Sequence, residues 1–490
     1  MKFISTRNSS KEYTASEVIV KGIAEDGGLF VPVSFPKIDL GTVLNWATSY
    51  EECSARVLSL YLDDIGYEKL LEITTKAYSK FDENGACPIS VIDENLAVME
   101  LWHGPTFAFK DMALTVLPYL IVESKKILNK SDKTLILVAT SGDTGKAALE
   151  GFKDVDQTEI IVLFPNDGVS EMQKLQMLTQ EGKNVHVFSI EGNFDDAQSA
   201  VKEIFNDSEV IKKLEAKNIA MSSANSINFG RLAPQIAYYI YTYAMLVKDG
   251  QIKENEKINF VVPTGNFGNI LAGYYAYRMG LPINKLYIAS NNNKILTDFF
   301  TKAEYDINRE FYKTISPSMD ILISSNLERL LFELANRDSE YIKKIYADLK
   351  SKGKFDFDLN LIKNSIFQSG WSDEKETRET ICSTYEDQDY LLDTHTAVAM
   401  AVYDNEVEDN IYTVIVSTAS PYKFAIDVYN AVAKKKEKDP IKALEKLEEY
   451  TAWDCPEEIA NLKEKKILHN KTIKKEEAKK TVLSTMGIDE

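Results

Sequence analysis

From residue 96 to residue 430, short continuous apolar runs alternate with stretches of helical period. The runs lie in TLILVATSGDTG, EIIVLFPNDG, VHVFSIEGNF, INFVVPTGNFG, KLYIASNNN and YTVIVSTAS. Each is rich in Val, Ile or Leu and breaks off into Gly, Ser, Thr or Asn. Apolar residues at successive positions suit strands buried on both faces, as in a parallel sheet. Alternation with helices predicts a doubly wound α/β architecture. Such sheets bind ligands in the loops at the carboxyl ends of their strands, which is where TSGDTG and PTGNFG stand.

The flanks have a different character. Residues 1–95 combine a Gly/Pro-rich opening, EDGGLFVPVSFP, with amphipathic stretches such as YEECSARVLSLYL, and are expected to form an N-terminal lobe. Residues 431–490 contain AKKKEKDPIKALEKLEEY, helical in period after Pro440, and are expected to form a helical C-terminal tail. Lys and Glu alternate there, which argues against a basic arm. A chain of 490 residues exceeds the roughly 250–300 that one core supports. Residues 96–430 are therefore expected to form a catalytic core of two α/β lobes.

Charge and composition narrow the function classes. Lys and Arg total 57 against 75 Asp and Glu, a formal net charge of −18. A nucleic-acid surface needs clustered positive charge, so none is expected. No run reaches the roughly 18 apolar residues of a membrane span. The opening MKFISTRNSSKEY lacks the apolar centre of a secretory signal. Cys53, Cys87, Cys382 and Cys455 show no metal-ligand spacing, and the chain holds only four His, so no metal site is expected. These features predict a cytoplasmic protein with reduced thiols.

Five segments carry candidate chemistry. In LWHGPTFAFKDMAL, Lys110 stands among Phe107, Ala108, Phe109 and Met112. Apolar surroundings depress a lysine pKa and free its amine to attack a carbonyl; the plainer reading is a surface lysine ahead of a helix. In ATSGDTGKAALEGF, a strand gives way to a helix whose free N–H groups suit an anion; an ordinary turn is the alternative. In VVPTGNFGNILAGYYA, Gly265 and Gly268 let backbone amides converge on a phosphate. In MSSANSINFGRLAPQ, Asn225, Asn228 and Arg231 recur every third residue, and Arg231 suits a phosphate or carboxylate; a helix cap with a surface arginine is the alternative. In VIVSTASPYKF, a strand ends in Ser417, Thr418 and Ser420, and a capped strand end is the plainer reading. His395, in DTHTAVAM, is a candidate base or a satisfied structural histidine.

Taken together, HGPTFAFKD, TSGDTGKAA, SSANSINFGR, VPTGNFGN, SPSMDILISSNLERLLFEL and STASPYKF resemble the threonine synthase family, in the longer form found in many bacteria and fungi. The resemblance runs from FISTRNSS at the start to about residue 430. It implies a tryptophan-synthase-β-like (fold type II) pyridoxal-phosphate fold. It implies that Lys110 holds pyridoxal 5'-phosphate as a Schiff base and that Gly265, Asn266, Phe267, Gly268 and Asn269 cradle the cofactor phosphate. Thr418 would face the pyridine nitrogen, and Ser141, Asp143 and Thr144 would belong to the loop for the substrate carboxylate. Asn228 and Arg231 match polar positions near the substrate, with Arg231 and Lys146 as partners of its phosphate. Asp143 is expected to point away from the cofactor phenolate, which an ionised carboxylate would repel, leaving Asn225, Asn228 or a backbone amide nearer to it.

The implied reaction converts O-phospho-L-homoserine and water into L-threonine and phosphate, with Lys110 as proton carrier and one lobe closing over the substrate. The implied partner is this small molecule, with the chain a monomer or small homo-oligomer. A serine or threonine dehydratase-like lyase remains an alternative, set apart by SGDTG where those enzymes carry an SSGN-type loop, and so does a non-catalytic homologue. Ser420, Lys294 and Thr394 depart from the family's His, acidic residue and Pro.

Overall fold

The computed structural model describes residues 1–140, 142–166, 169 and 171–488. All six apolar runs become strands, and they divide between two sheets. Among the described residues the first sheet has six strands. Their spatial order is β14 (Phe367–Trp371), β11 (Ile283–Ser290), β10 (Ile258–Pro263), β15 (Thr413–Ser417), β5 (Leu96–Glu100) and β4 (Ile89–Asp93). All neighbours run parallel except the edge strand β4. The second sheet is parallel throughout, in the order β16 (Thr472–Ile473), β8 (Val185–Ile190), β7 (Thr158–Pro165), β6 (Lys133–Ala139) and β9 (Ile219–Ser222). Leu135, Ile136, Leu137 and Val138 of β6 are all buried, because both faces of a parallel sheet are covered; that is why the run does not alternate.

The helix Phe229–Lys248 is buried almost all round and packs against the helices Tyr50–Tyr61, Asp111–Leu114 and Gly268–Met279. Its apolar residues face every side, as the centre of a large core requires.

The N-terminal segment holds β1 (Lys2–Ser5) between β2 (Asn8–Thr14) and β3 (Phe30–Pro32). A short antiparallel ribbon joins β12 (Glu304–Asp306) to β13 (Lys354–Asp356). The helix Leu327–Leu334 fastens the N-terminal sheet to the rest. Thr6 Oγ1 donates to Glu328 Oε1 at 2.5 Å, and Arg7 donates through Nε and Nη2 at 3.0 and 2.7 Å. Fully buried Arg329 donates to the carbonyls of Phe30 and Ile227 at 2.9 and 2.6 Å and to the Asn326 side chain. Its guanidinium has neutral partners only, and burial pushes its pKa down to about 10.

The last sixty residues contribute more than helices. Pro440–Thr451 is a helix, with Asp439 as its N-cap. Further on, β16 lies parallel to β8 and completes the second sheet, and Ile473, Ala478, Val482 and Leu483 join that sheet's apolar core. Among the described residues no helix is long and apolar enough to cross a membrane, and no group of three His, Cys, Asp or Glu could hold a metal ion.

Candidate active site

Strands β5, β15 and β10 are neighbours, so the loops that follow them open at one end of the first sheet. The segment after β5 is laid along the segment after β15. Phe109 N donates to Thr418 O at 2.9 Å, and Ser420 N donates to Phe107 O at 3.0 Å. Phe107 takes a left-handed conformation, φ 58°, which costs roughly 1–3 kcal/mol and needs support from its surroundings. Thr106 gives it: its N and Oγ1 both donate to the Asp111 carboxylate, at 2.7 and 2.6 Å. Burial pushes the Asp111 carboxyl up to about 6, against the hydrogen bonds from Thr106. This turn delivers Lys110 to the position just before the helix Asp111–Leu114.

Lys110 Nζ lies 3.3 Å from Ser318 Oγ and 3.7 Å from Asp143 Oδ2, over the ring of Phe109. Its side chain is 11% exposed. Burial lowers its pKa against the pull of Asp143, and the nearby cations Lys423 and Arg231 lower it further. Asp143 comes from the other sheet, in the first turn of the helix Asp143–Phe152 that follows β6. Its carboxylate accepts from Lys423 Nζ at 2.9 Å, Gln173 Nε2 at 3.0 Å and Ser318 Oγ at 3.2 Å. Burial would raise the Asp143 carboxyl, but Lys423, then Lys110 and the donated hydrogen bonds, hold it well below the usual carboxylate range.

Asp143 thus stands beside Lys110 with its charge already paired, which bears on the reason given for turning it away from the cofactor phenolate. That reason is repulsion of an unpaired carboxylate. Lys423, from STASPYKF, supplies the counter-charge and also donates to Thr106 O at 2.8 Å.

Ser318 sits in a 3-10 turn, Pro317–Met319, and its N–H donates to His395 Nε2 at 3.1 Å. His395 Nδ1 lies 2.8 Å from Asp393 Oδ1, so His395 here is a satisfied residue that holds the Ser318 turn. Asp320 pins the same loop, accepting from Asn291, Asn293 and Thr314. Ser318 and Lys423 went unnoticed as site residues in the sequence. Both lie inside the quoted motifs SPSMD and SPYKF, but nothing in their spacing ties them to Lys110.

The Gly265–Asn269 loop follows β10 and opens the helix Gly268–Met279. Phe267 is left-handed, φ 63°, and its buried ring packs on Phe300 and Phe367. The Phe267 ring therefore anchors the turn, and only its backbone is left to face a ligand. Asn326 donates through N and Nδ2 to Asn266 O, both at 3.1 Å. A Cβ on Gly265 would stand 2.7 Å from Ser318 O, so no side chain fits there. Asn269 Oδ1 accepts from Tyr238 and Tyr239 at 2.7 and 2.8 Å, while its buried Nδ2 has no partner among the described residues. Arg231, 4% exposed, donates through Nη1 to Ala224 O at 2.6 Å, and its Nε has no partner among the described residues. Burial pushes its guanidinium down to about 10. Unmet buried donors cost about 1–3 kcal/mol each. Placed beside a helix N-terminus and a glycine backbone, they fit an anionic, phosphate-bearing group.

Other expected site residues fare differently. Thr418 is buried next to Lys110's segment, its N–H donating to Thr396 Oγ1 at 3.3 Å. Thr144 is partly exposed in the first turn of its helix, and Ser141 lies outside the described residues. Lys146, one turn along the same helix from Asp143, has its ammonium engaged by Glu150 at 3.4 Å and by Gln180. Asn228 has local partners. It caps the helix Phe229–Lys248 by accepting from Gly230 N at 2.9 Å, and it donates to Ile19 O at 3.1 Å, which commits both ends of the amide. Asn225 is exposed. The three departures are absorbed locally. Ser420 caps the turn Pro421–Phe424, Lys294 pairs with Asp298 at 3.2 Å, and Thr394 donates to Ile315 O at 2.7 Å.

Upstream of Lys110, His103 is clamped between Asp82 and Glu100, each at 2.7 Å. Burial lowers its pKa, but the hydrogen bonds to Glu100 and Asp82 outweigh it and hold the imidazole above its ordinary value. A raised histidine stabilises the fold fully below its unfolded value of about 6.5, and that stabilisation is lost as pH climbs through the folded value. The unfolding temperature should therefore fall from pH 6.5 upward more steeply in the native chain than in His103→Gln. Identical pH profiles for the two would remove this role from His103.

Comparison with known proteins places this geometry in a family. The family model for the threonine synthase N terminus matches residues 2–78, and that for pyridoxal-phosphate dependent enzymes matches residues 91–351. The chain is 39% identical over 461 residues to threonine synthase-like 1 of Homo sapiens, covering 88% of this chain but only 60% of that one. It is 38% identical to threonine synthase of Saccharomyces cerevisiae, covering 88% of each. The crystal structure of a pyridoxal-phosphate-bound threonine synthase from Brucella melitensis superposes with a TM-score of 0.88 at 36% identity, over 99% of this chain and 98% of that one. The two sheets, the converging loops and this likeness over nearly the whole length assign the chain to the threonine synthase family of pyridoxal-phosphate-dependent enzymes.

Proposed function

We propose that this chain converts O-phospho-L-homoserine and water into L-threonine and phosphate, with pyridoxal 5'-phosphate held at Lys110. The observation that carries the reading is the pairing of a buried lysine of depressed pKa with two unmet buried donors, Arg231 Nε and Asn269 Nδ2. Gly265, Asn266, Phe267, Gly268 and Asn269 would hold the cofactor phosphate by backbone and amide donors, and Thr418 would offer a neutral hydroxyl to the ring nitrogen. When bound, the cofactor supplies an electron sink for charge developing at the substrate α-carbon.

The chain's own residues supply the rest. Lys110 is displaced as a free amine and takes the α-proton, since it starts beside that carbon. It passes that proton to an oxygen of the substrate phosphate and, free again, takes the β-proton before phosphate leaves the γ-carbon. Arg231 holds the substrate phosphate and stabilises it as it departs. Thr144 and the backbone at the start of its helix would orient the substrate carboxylate. Lys110 delivers the β-proton to the γ-carbon, the hydroxyl of water adds at the β-carbon as the water's proton passes to Lys110, and Lys110 returns that proton to the α-carbon. The loop carrying Ser318 narrows access to Lys110, which limits water until phosphate has gone.

The purified chain, supplied with cofactor and O-phospho-L-homoserine, should release phosphate and threonine in equal amounts. Ketoacid from added threonine, without phosphate-dependent threonine formation, would mark a dehydratase instead. Absence of both products with cofactor covalently held would mark a non-catalytic homologue.

A further inference from the structure

The proposed chemistry places an acid where it is least welcome. Asp143 is buried beside the lysine that must act as a free amine. A carboxylate paired with one lysine in a dry site holds that lysine protonated, and a protonated amine is neither nucleophile nor base. The site avoids this by dividing the contacts of the carboxylate. Asp143 Oδ1 takes Lys423 Nζ at 2.9 Å. Asp143 Oδ2 stands 3.7 Å from Lys110 Nζ, and the hydroxyl of Ser318 bridges the two. Lys110 donates to Ser318 Oγ at 3.3 Å, and Ser318 donates to Asp143 Oδ2 at 3.2 Å.

We propose that Lys423 is a positioning residue that takes up the charge of Asp143, so that the carboxylate orients Lys110 through Ser318 without locking it into an ion pair. This rests on the reading of Lys110 as the cofactor lysine. Lys423 is suited to the task because it cannot leave. It is 2% exposed, its turn is capped by Ser420, and its ammonium also donates to Thr106 O at 2.8 Å. That second bond ties the charge pair to the turn that presents Lys110.

The charged groups facing Lys110 can be named from each element around it. Asp143 comes from the helix after β6, Lys423 from the turn after β15, Arg231 from the helix Phe229–Lys248, and Asp111 from Lys110's own helix. His395 touches the network only through Ser318 N. Lys423 and Asp143 together are close to neutral, which leaves burial and Arg231 to keep the Lys110 amine depressed.

The test is competitive acetylation of Lys110 in the full-length, cofactor-free chain, read by peptide mass spectrometry as a function of pH. This readout needs no turnover. In Lys423→Met the midpoint for Lys110 should rise by about one pH unit or more, since an opposite charge at this range then acts on Lys110 alone. Lys423→Arg should stay near the native midpoint, because it keeps the pair. Asp143→Asn should lower the midpoint, because the remaining cations repel Lys110. The double variant Lys423→Met/Asp143→Asn should return toward the native value. A midpoint in Lys423→Met that stays put or falls overturns the proposal. If that variant does not fold, an unchanged midpoint in Asp143→Asn overturns it instead. Borohydride reduction of the loaded native chain keeps the two readings apart. Cofactor fixed to a lysine other than Lys110 would defeat the proposed function, while the acetylation midpoints would still judge the charge pair.

Discussion

Lys110→Ala is expected to lose covalent attachment of the cofactor and to cut threonine formation by at least roughly a thousandfold, the scale contributed by one positioned acid–base group. The loss should be chemical and not structural. Lys110 donates only to Ser318, whereas the turn that presents it is held by Thr106, Asp111 and the backbone pairing to residues 418–420. Thermal unfolding of the variant should therefore stay near that of the native chain. Removing Lys110 also leaves Asp143 with Lys423 as its near cation, so the folded site remains paired. The measurement is borohydride reduction followed by peptide mapping. A reduced cofactor adduct on another lysine of the variant, such as Lys423, with threonine formation retained would overturn the assignment of Lys110.

Arg231→Ala is expected to weaken use of O-phospho-L-homoserine by about 3 kcal/mol, a factor of roughly 150, as when one partner of a buried charge pair is removed. Cofactor affinity should move far less. The distinction is informative because a buried guanidinium could serve either the substrate phosphate or the cofactor phosphate. Gln235 donates to Arg231 O, and Tyr238 donates to both Gln235 and Asn269, so the arginine's helix is tied to the Gly265–Asn269 loop. Equal losses of substrate use and cofactor affinity would assign Arg231 to the cofactor phosphate instead. Its burial without a carboxylate partner among the described residues makes either outcome large, because a buried guanidinium is tolerated only when an anion compensates it.

Much of the architecture was legible before any coordinates. Six apolar runs announced six strands, because a strand covered on both faces must be apolar at consecutive positions. The loops that end two of them, β6 and β15, bring Asp143 and Lys423 to the surroundings of Lys110. The helix cap offered as the plainer reading of MSSANSINFGRLAPQ is present, on Asn228, but the arginine beside it is buried and not on the surface. The short strands β9, β14 and β16 escaped notice, since four or five residues give no period to read and β16 is only two residues long. The tail beyond residue 431 read as polar and helical because the few residues that seal the second sheet, Ile473, Val482 and Leu483, are scattered among lysines and glutamates.

The sequence by itself determined the kind of molecule: parallel strands, their binding loops, the one lysine set in an apolar motif, and the glycine-rich turn that suits a phosphate. Those features are local, since each depends on residues a few positions apart. Which polar side chains face Lys110 was decided only by tertiary structure. Asp143, Ser318, Lys423 and Arg231 come from segments far apart in the chain, and their charges act over a few ångströms of buried space, so spacing along the sequence carries no trace of them. The same physics gave Lys146 and Asn228 partners that their spacing does not announce. Each met a nearer partner, in Glu150 and Gln180 or in Gly230 and Ile19, and a buried polar group is held by the partner it reaches first.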